Sequence, residues 1–407
     1  MASGLPCHTL DFYTMEREEI LSIYHGERRD ADLALIEGNK GLFDGLSTDG
    51  SDSNGAMAKL LQLPVVLVIN TNGITRGIAP LLLGYQNFDL QIDFAGVILN
   101  QTGNSRHEKK LQKVVEHYTD FPILGTIRRH PDLEIVERHL GLVPSNEAHE
   151  ACNKIETIRK AIEAQVDLDR ILELSREDDG SASLPQYEAP IDIPSPTLRI
   201  GVARDESFGF YYATDLEAFR QQGVELISFS PLHDQTLPTV DGLFIGGGFP
   251  ETHMEQLEQN SSMRKEIRDA IESGLPVYAE CGGLMYLSRQ ISWDGHSHQM
   301  VGAVAGDCQM HKRPQGKGYA RFQRKGEEHD TPAHEFHYSS IENLPDDVEF
   351  IYTINRGFGI DGKRDGIVYK NLLASYVHQR NTRQNPWVKE FVTRVREIKN
   401  RLNKEER

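Results

Sequence analysis

The chain has 407 residues, and its 44 Lys and Arg against 61 Asp and Glu give a formal net charge of −17. A hydrophobic fraction of 38% and a charged fraction of 26% are typical of a soluble globular protein. The acidic balance argues against a protein whose main partner is nucleic acid, because phosphates require a basic surface. At roughly 100–200 residues per domain, the length predicts two or three domains.

No stretch of the sequence approaches the roughly 20 apolar residues of a membrane-spanning helix. The N-terminus lacks the charged and then apolar pattern of a secretion signal. The four cysteines are widely spaced and do not form a disulfide framework. We therefore expect a cytoplasmic protein that binds neither nucleic acid nor membrane.

Short apolar runs alternate with helical patterns along the first part of the chain, as in proteins built from βαβ units. The runs are rich in Val, Ile and Leu and do not alternate with polar residues, which is typical of a parallel sheet covered on both faces. The predicted strands cover residues 31–36, 64–70, 94–100 and 121–126, and the predicted helices cover residues 16–24, 107–118 and 147–174.

Residues 176–197 are charged and then rich in Ser and Pro, which predicts a linker between a domain at 1–175 and a domain at 198–407. In the second domain the same alternation resumes. It predicts strands at 198–203, 226–229, 242–245 and 277–279, and helices at 216–222 and 263–273. A final helix at 386–407 is predicted to begin with Asn385 as its N-cap and Pro386 as its first residue.

Cys281 follows a predicted strand directly and is itself followed by Gly282, Gly283 and a helical pattern. This order places the sulfur on a tight strand-to-helix turn, where glycines give the backbone room. A helix N-terminus favours the thiolate, and its N–H groups can hold an oxyanion. The alternative is an inert buried thiol, which is what we expect of Cys7, Cys152 and Cys308 because they lack this pattern.

Two further features fit a cysteine nucleophile. A predicted strand near the C-terminus, residues 372–378, ends in His378, and catalytic groups of α/β folds collect at strand ends. Another strand opens into Gly246, Gly247 and Gly248, whose N–H groups could face an oxyanion.

His334 and His337 have the spacing of a metal-binding pair on a helix. Their surroundings predict a strand instead, on which positions three apart point to opposite faces. We favour a role in the substrate cleft or in the structure over metal binding.

The second domain resembles a class I, triad-type glutamine amidotransferase. It is most similar to the cobyrinate a,c-diamide synthase family, which includes relatives that amidate sirohaem or nickel-sirohydrochlorin. The matching segments are residues 202–212, 229–232, 246–251, 279–286, 334–339 and 375–378.

The resemblance implies that Cys281 attacks the glutamine carboxamide to form a thioester, that His378 moves the protons, and that ammonia is released. It also implies an oxyanion hole formed by the N–H groups of Gly248 and Gly282. Ordinary triad enzymes have a Glu two residues after the His, where this chain has Arg380. The site is therefore interpreted as a Cys–His dyad, and the group that orients the imidazole is not identified.

In the first domain, residues 37–45 read Glu-Gly-Asn-Lys-Gly-Leu-Phe-Asp-Gly after a predicted strand. A carboxylate at a strand's end beside a glycine loop is typical of a Mg²⁺ position in a nucleotide fold, although a surface turn with an exposed Glu is the alternative. The family has a similar segment, which implies that Glu37 holds Mg²⁺ through ATP and that Asp44 lies on the substrate side. Asn39 and Lys40 depart from the family's usual residues.

The resemblance extends to a dethiobiotin-synthetase-like ATP fold. It implies that Thr71 and Gly73 flank the phosphates and that Asn100, at the end of a strand, contacts the adenine. The family opens with a Gly-rich P-loop, whose pattern the printed sequence lacks. The resemblance thus begins after the family's first strand–loop–helix unit. Two hypotheses remain: Met1 is a misplaced start or the sequence is a fragment, which we favour, or the chain has lost ATP binding.

We therefore expect an α/β protein with an N-terminal P-loop-like, dethiobiotin-synthetase-like parallel sheet that lacks its first unit and a C-terminal flavodoxin-like glutaminase domain. The resemblance implies amidation of the a- and c-acetates of a tetrapyrrole, with ATP, Mg²⁺ and glutamine, through an acyl phosphate. The macrocycle would be cobyrinate or a sirohaem-type compound, and a homodimer is possible. The alternative is a glutaminase-only or non-catalytic relative that binds tetrapyrrole without ATP.

Overall fold

The computed structural model describes residues 5, 7–29, 31–135, 148–176 and 195–405. The chain forms two compact units. The described part of the first spans residues 16–176, and that of the second spans residues 195–405 together with the segment Leu5–Met15. The predicted linker lies almost entirely outside the described residues.

The first unit is built around three parallel strands in the order β1-β2-β3. The strands are β1 (Val65–Asn70), β2 (Phe94–Thr102) and β3 (Ile123–Arg128). Its helices are α1 (Arg17–Arg28), α2 (Asn54–Leu61), α3 (Ile78–Phe88), α4 (Ser105–Tyr118), α5 (Ala148–Gln165) and α6 (Leu168–Arg176), with a 3-10 turn at Pro131–Leu133. Fully buried Val97 and Leu99 of β2 pack against Leu82 of α3 and Leu111 and Val115 of α4.

The strand predicted at 31–36 is wrong, because these residues form neither a strand nor a helix. A strand needs a neighbour for its backbone hydrogen bonds, and none of the three described strands of this unit pairs with them. Leu35 is accordingly 88% exposed. The helix predicted at 147–174 is two helices, because the chain leaves the helical path at Asp167, whose N–H donates to the carbonyl of Leu124 at 2.8 Å.

The second unit contains a mixed sheet of nine strands in the order β14-β13-β16-β17-β18-β9-β7-β4-β6. The five strands from β18 to β6 run parallel, and the other four extend the sheet as antiparallel strands. The strands are β4 (Leu198–Ala203), β6 (Val224–Phe229), β7 (Gly242–Ile245), β9 (Val277–Glu280), β13 (Gly316–Arg324), β14 (Thr331–His337), β16 (Glu349–Arg356), β17 (Arg364–Tyr369) and β18 (Leu372–Ser375).

Smaller sheets and helices complete this unit. The remaining strands are β5 (Phe208–Phe210), which pairs with β8 (Gly247–Gly248), and a four-stranded sheet of β10 (Gln290–Trp293), β11 (His296–Gln299), β12 (Asp307–Met310) and β15 (Ser339–Glu342). The helices are α7 (Ala213–Gln221), α8 (Met254–Gln259), α9 (Ser261–Glu272), α10 (Gly282–Leu287) and α11 (Trp387–Glu405), with a 3-10 turn at Pro250–His253.

Helices cover both faces of the parallel strands. One core joins the sheet to α7 and α11 through Phe219, Phe244 and Trp387, and the other joins it to α9 and α10 through residues such as Ile267 and Leu284. This is the doubly covered α/β arrangement predicted from the unbroken apolar runs. Among the described residues, no helix is long and apolar enough to cross a membrane.

The predicted C-terminal helix is confirmed, but its N-cap differs from the prediction. The N–H of Val388 donates to the side-chain oxygen of Asn381 at 3.3 Å. The Asn385 side chain instead donates to Gln379 and to the carbonyl of Arg380. A sequence pattern identifies the residue next to a helix, whereas here the chain folds back so that a more distant amide reaches the helix end.

Candidate active site

Cys281 lies on the predicted turn between a strand and a helix. Strand β9 ends at Glu280, Cys281 has φ +48° and ψ −102°, and α10 begins at Gly282. A positive φ is unfavourable for a residue with a side chain, and such strain is typical of a nucleophile presented at the end of a sheet. The turn also explains Gly283, since a Cβ atom there would lie 2.1 Å from the carbonyl oxygen of Ile245.

The Cys281 side chain is 7% exposed, and its sulfur lies 3.6 Å from the carbonyl oxygen of Phe336. Cys308 is fully buried, and burial raises the pKa of its thiol, which keeps it protonated and unreactive. Cys7 and Cys152 are exposed, so the expectation of a buried thiol is wrong for these two residues.

The structure brings the two predicted oxyanion-hole residues together. A Cβ atom on Gly282 would lie 2.8 Å from the backbone nitrogen of Gly248. A backbone hydrogen bond fixes the loop that carries Gly248, because the N–H of Phe249 donates to the carbonyl of Ser207 at 2.8 Å. A Cβ atom on Gly248 would overlap that same carbonyl oxygen, so the loop requires glycine here.

His378 follows β18 by three residues, and its imidazole lies close enough to the Cys281 side chain for that group to shift the imidazole pKa. Burial alone lowers the pKa of the imidazole, but its hydrogen bonds to Cys281 and Glu280, and their charges, raise it above its usual value of 6.5 to about 10. Gly247 makes room for the ring, since a Cβ atom there would lie 2.6 Å from Cε1 of His378. The arrangement favours an imidazolium beside the sulfur at neutral pH.

A buried carboxylate fixes the backbone that leads to His378. Asp365 is fully buried and accepts the N–H groups of Tyr376 at 3.1 Å and of Val377 at 3.0 Å. Burial raises the pKa of Asp365 to about 6, although its backbone hydrogen bonds oppose the shift. The short connection from β18 to His378 is thus held rigidly.

The backbones of His334 and His378 are paired by two hydrogen bonds. The N–H of His334 donates to the carbonyl of His378 at 3.2 Å, and the N–H of His378 donates to the carbonyl of His334 at 2.7 Å. Burial and the charge of His378 lower the pKa of His334 to about 4, so His334 is neutral at physiological pH.

His337 is 2% exposed and stacks on the ring of Tyr376 with centroids 3.8 Å apart. Its neighbour Glu335 accepts the N–H groups of Phe358 and Gly359. In the part of the chain that the structure describes, no three His, Cys, Asp or Glu side chains form a metal site.

Glu280 is the residue of this site that the sequence reasoning missed. It is 3% exposed, and its Oε2 lies 3.5 Å from Nδ1 of His378. The signal was a lone carboxylate at the end of the apolar run Val277-Tyr278-Ala279, directly before the cysteine.

Arg380 occupies the position two residues after the histidine. Its guanidinium lies over the ring of Tyr212, 4.9 Å from the centroid, and donates to the carbonyl of Thr9. Thr9 belongs to the N-terminal segment Leu5–Met15 of the same unit, whose Asp11 accepts a hydrogen bond from the hydroxyl of Tyr319 at 3.1 Å.

In the first unit, two of the predicted nucleotide-site residues meet at the carboxyl ends of neighbouring strands. Both the N–H and the hydroxyl of Thr71 donate to the carbonyl of Asn100, at 2.9 and 2.8 Å. Gly73, in the loop that follows β1, has φ +74°, a conformation that favours glycine.

Glu37 and Asp44 lie on an exposed loop instead. The loop is fixed to the start of α2, because Asn54 donates to the carbonyl of Lys40 at 3.0 Å. Among the described residues, no hydrogen bond joins Glu37 to Thr71 or Asn100. An exposed carboxylate is nevertheless a suitable ligand for Mg²⁺. In nucleotide sites, Mg²⁺ binds one or two protein carboxylates and completes its coordination shell with phosphate oxygens and water.

Comparison with known proteins gave two kinds of match. The family model described as a CobB/CobQ-like glutamine amidotransferase domain matches residues 199–386, and the model described as an AAA domain matches residues 13–136. A cobyrinate a,c-diamide synthase of Magnetococcus marinus is 43% identical over 93% of this chain and 83% of its own length. One from Methanosarcina acetivorans is 41% identical over 92% of this chain and 82% of its own length.

Proposed function

Since the chain belongs to the cobyrinate a,c-diamide synthase family, it is a glutamine-dependent amidating ligase, and we propose that it converts the a- and c-acetate carboxylates of cobyrinate to amides. The observation that carries the glutamine half of this proposal is the strained turn at Cys281, whose side chain interacts with His378 and whose neighbour Gly282 lies close to the backbone nitrogen of Gly248.

The glutaminase reaction follows from these groups. The Cys281 sulfur attacks the side-chain carbonyl carbon of glutamine, and the oxygen that becomes negative is stabilised by the N–H groups of Gly248 and Gly282. His378 gives its proton to the departing nitrogen, so that ammonia leaves and a thioester remains. Water then attacks the thioester, His378 takes up a proton, and glutamate is released with Cys281 regenerated.

The synthetase half concerns activation of the acetate. A carboxylate is a poor electrophile, so we propose that the terminal phosphoryl group of ATP is transferred to it and that ammonia displaces phosphate from the acyl phosphate. We propose that Thr71, Gly73 and Asn100, beside one another near the ends of β1 and β2, bind ATP, and that Glu37 would hold Mg²⁺, which would neutralise phosphate charge. Asp44, on the same loop as Glu37, is the candidate on the substrate side.

The test is product analysis by mass spectrometry with the full chain. The protein is incubated with cobyrinate, ATP, Mg²⁺ and glutamine labelled with ¹⁵N in its side-chain amide. We expect two labelled amides on the macrocycle, and none when ATP is omitted. Sirohaem and nickel-sirohydrochlorin are tested in parallel, and exclusive amidation of either one would overturn the choice of cobyrinate. Release of glutamate without amidation of any macrocycle would favour a glutaminase-only relative.

A further inference from the structure

The geometry points to Glu280 as the residue that positions His378 and stabilises its protonated imidazole. The Cys–His pair would then work as a triad whose carboxylate directly precedes the nucleophile. This inference rests on the proposed glutaminase function. It fills the role that Arg380 cannot fill, since a guanidinium has no hydrogen-bond acceptor.

The two oxygens of Glu280 have different surroundings. Oε1 accepts the hydroxyl of Tyr278 at 2.6 Å and the N–H of Gln379 at 2.9 Å. Oε2 is the oxygen that faces Nδ1 of His378, at 3.5 Å. The first oxygen therefore anchors the carboxylate, and the second is available to the imidazole.

The anchor is itself held by a second layer of polar groups. The side-chain amide of Gln379 donates to the hydroxyls of Tyr278 at 2.8 Å and of Tyr352 at 3.0 Å, and Asn385 donates to the Gln379 oxygen at 3.3 Å. All of these residues are at least nine-tenths buried. A carboxylate held in this way has little freedom to turn away from the ring.

The charge of Glu280 has one partner. Among the described residues, His378 is the only basic side chain within ion-pair distance of this carboxylate. A buried carboxylate is costly unless it is paired and hydrogen-bonded, so its burial here is balanced by the two donors and by the imidazolium. The same pairing stabilises the protonated ring that must deliver a proton to ammonia.

The position of Glu280 also fixes which nitrogen faces the sulfur. A carboxylate at Nδ1 keeps the proton there and leaves Nε2 for the thiol, as the acid does in Ser-His-Asp triads. Glu280 does not touch the substrate in this account and acts only through His378, so it is a positioning residue.

The test compares Glu280→Gln and Glu280→Asp with the wild type in the full chain. The Gln variant keeps an oxygen for Tyr278 and Gln379 but removes the charge. We expect kcat for glutamate release to fall by at least ~100-fold, KM for glutamine to change little, and the pH profile to shift, because triads depend strongly on their carboxylate. The Asp variant should recover part of kcat.

A matched control is Asp215→Asn. Asp215 is 2% exposed in the same region, where it accepts the N–H groups of Asn381 and Trp387, and it does not contact His378. This variant measures the effect of removing a buried carboxylate that is not an ion-pair partner of His378, and we expect its loss of kcat for glutamate release to be much smaller than that of Glu280→Gln.

A second readout does not depend on activity. In protein labelled with ¹⁵N-histidine, NMR titration of His378 should show a lower imidazole pKa in Glu280→Gln than in the wild type. Unchanged kcat, pH profile and imidazole pKa in folded Glu280→Gln would overturn the inference, as would equal losses in Glu280→Gln and Asp215→Asn. If the wild type released no glutamate, the proposed function would fail, whereas the titration would still decide the role of Glu280.

Discussion

The backbone N–H of Cys281 donates a 2.8 Å hydrogen bond to the carbonyl of Ser375. Ser375 ends β18 and pairs in register with Glu280 at the end of β9. The strand that leads to Cys281 is thus fixed to the strand that leads to His378. A slip of one residue between them would turn Cys281 or His378 toward the wrong face of the sheet.

Replacing Cys281 should separate the two half-reactions. We expect Cys281→Ala to lose glutamate release completely, because no other described thiol lies beside His378, and to retain amidation when ammonium chloride replaces glutamine. Cys308→Ala is the control, since Cys308 is fully buried and its raised pKa keeps it unreactive. Loss of ammonia-dependent amidation in Cys281→Ala, or of glutamate release in a folded Cys308→Ala, would contradict this assignment.

Glu251 should make the stability of the second unit depend on pH. It is 3% exposed, its Oε2 has no hydrogen-bond partner among the described residues, and burial raises its pKa from 4.5 to about 8. The folded state binds the Glu251 proton more tightly than the unfolded state does. The contribution of Glu251 to stability is therefore complete below pH 4.5 and is lost as the pH rises toward 8. The slope for one proton is at most about 1.4 kcal/mol per pH unit.

Urea unfolding of the wild type and Glu251→Gln at several pH values measures this effect. Both tryptophans of the chain, Trp293 and Trp387, belong to the second unit, so their fluorescence follows that unit alone. Between pH 5 and pH 8, we expect the free energy of unfolding of the variant to increase relative to that of the wild type. Parallel pH dependences would show that Glu251 does not titrate in this range.

A methyl group at the nucleophile turn should be damaging. In Gly283→Ala the new Cβ would lie 2.1 Å from the carbonyl oxygen of Ile245, so the turn must open. We expect the free energy of unfolding of the second unit to fall by about 3 kcal/mol or more, and glutaminase activity to be lost. Gly84, inside α3, has open space around it, and Gly84→Ala should stabilise the first unit by about 0.5–1 kcal/mol. Differential scanning calorimetry measures both changes, and equal effects would contradict the geometry.

Asn100 provides a test of the nucleotide site. We expect Asn100→Ala to raise KM for ATP at least tenfold in ammonia-dependent amidation, because the proposed contact to the base is removed, while glutamate release is unchanged. Asn87→Ala is the matched control, since Asn87 is exposed on α3 and, within the described parts of the chain, its amide donates to the carbonyl of Leu83 on the same helix. An unchanged KM for ATP in Asn100→Ala would remove this residue from the proposed site.

The local order strand, cysteine, two glycines and helix was enough to predict the turn at Cys281, because each residue type there answers a local backbone requirement. The β1 and β2 strands were predicted equally well, since unbroken runs of Val, Ile and Leu have few alternatives in a parallel sheet. Residues 31–36 show the limit of this reasoning. Their composition suits a strand, but strand formation depends on a neighbour that composition does not reveal.

The role of Glu280 illustrates the same limit at the level of the site. A residue before a cysteine and a histidine 98 positions later meet only through the pairing of β9 with β18. His337 was likewise open to a cleft or a structural role from its sequence context, and its stacking on Tyr376 is a tertiary contact. Local patterns were enough to predict the position of Cys281 on its turn, whereas its proximity to Glu280 and His378 depends on the register of the sheet.

The most direct test of the central claim is covalent labelling with 6-diazo-5-oxo-norleucine, a glutamine analogue that alkylates a nucleophilic cysteine. The full chain is treated with the analogue, digested and mapped by mass spectrometry, with an excess of glutamine as the competing ligand. Our account predicts one adduct, on Cys281, which glutamine suppresses and His378→Ala greatly slows. Labelling of Cys7, Cys152 or Cys308 in its place, or no labelling of Cys281, would contradict it.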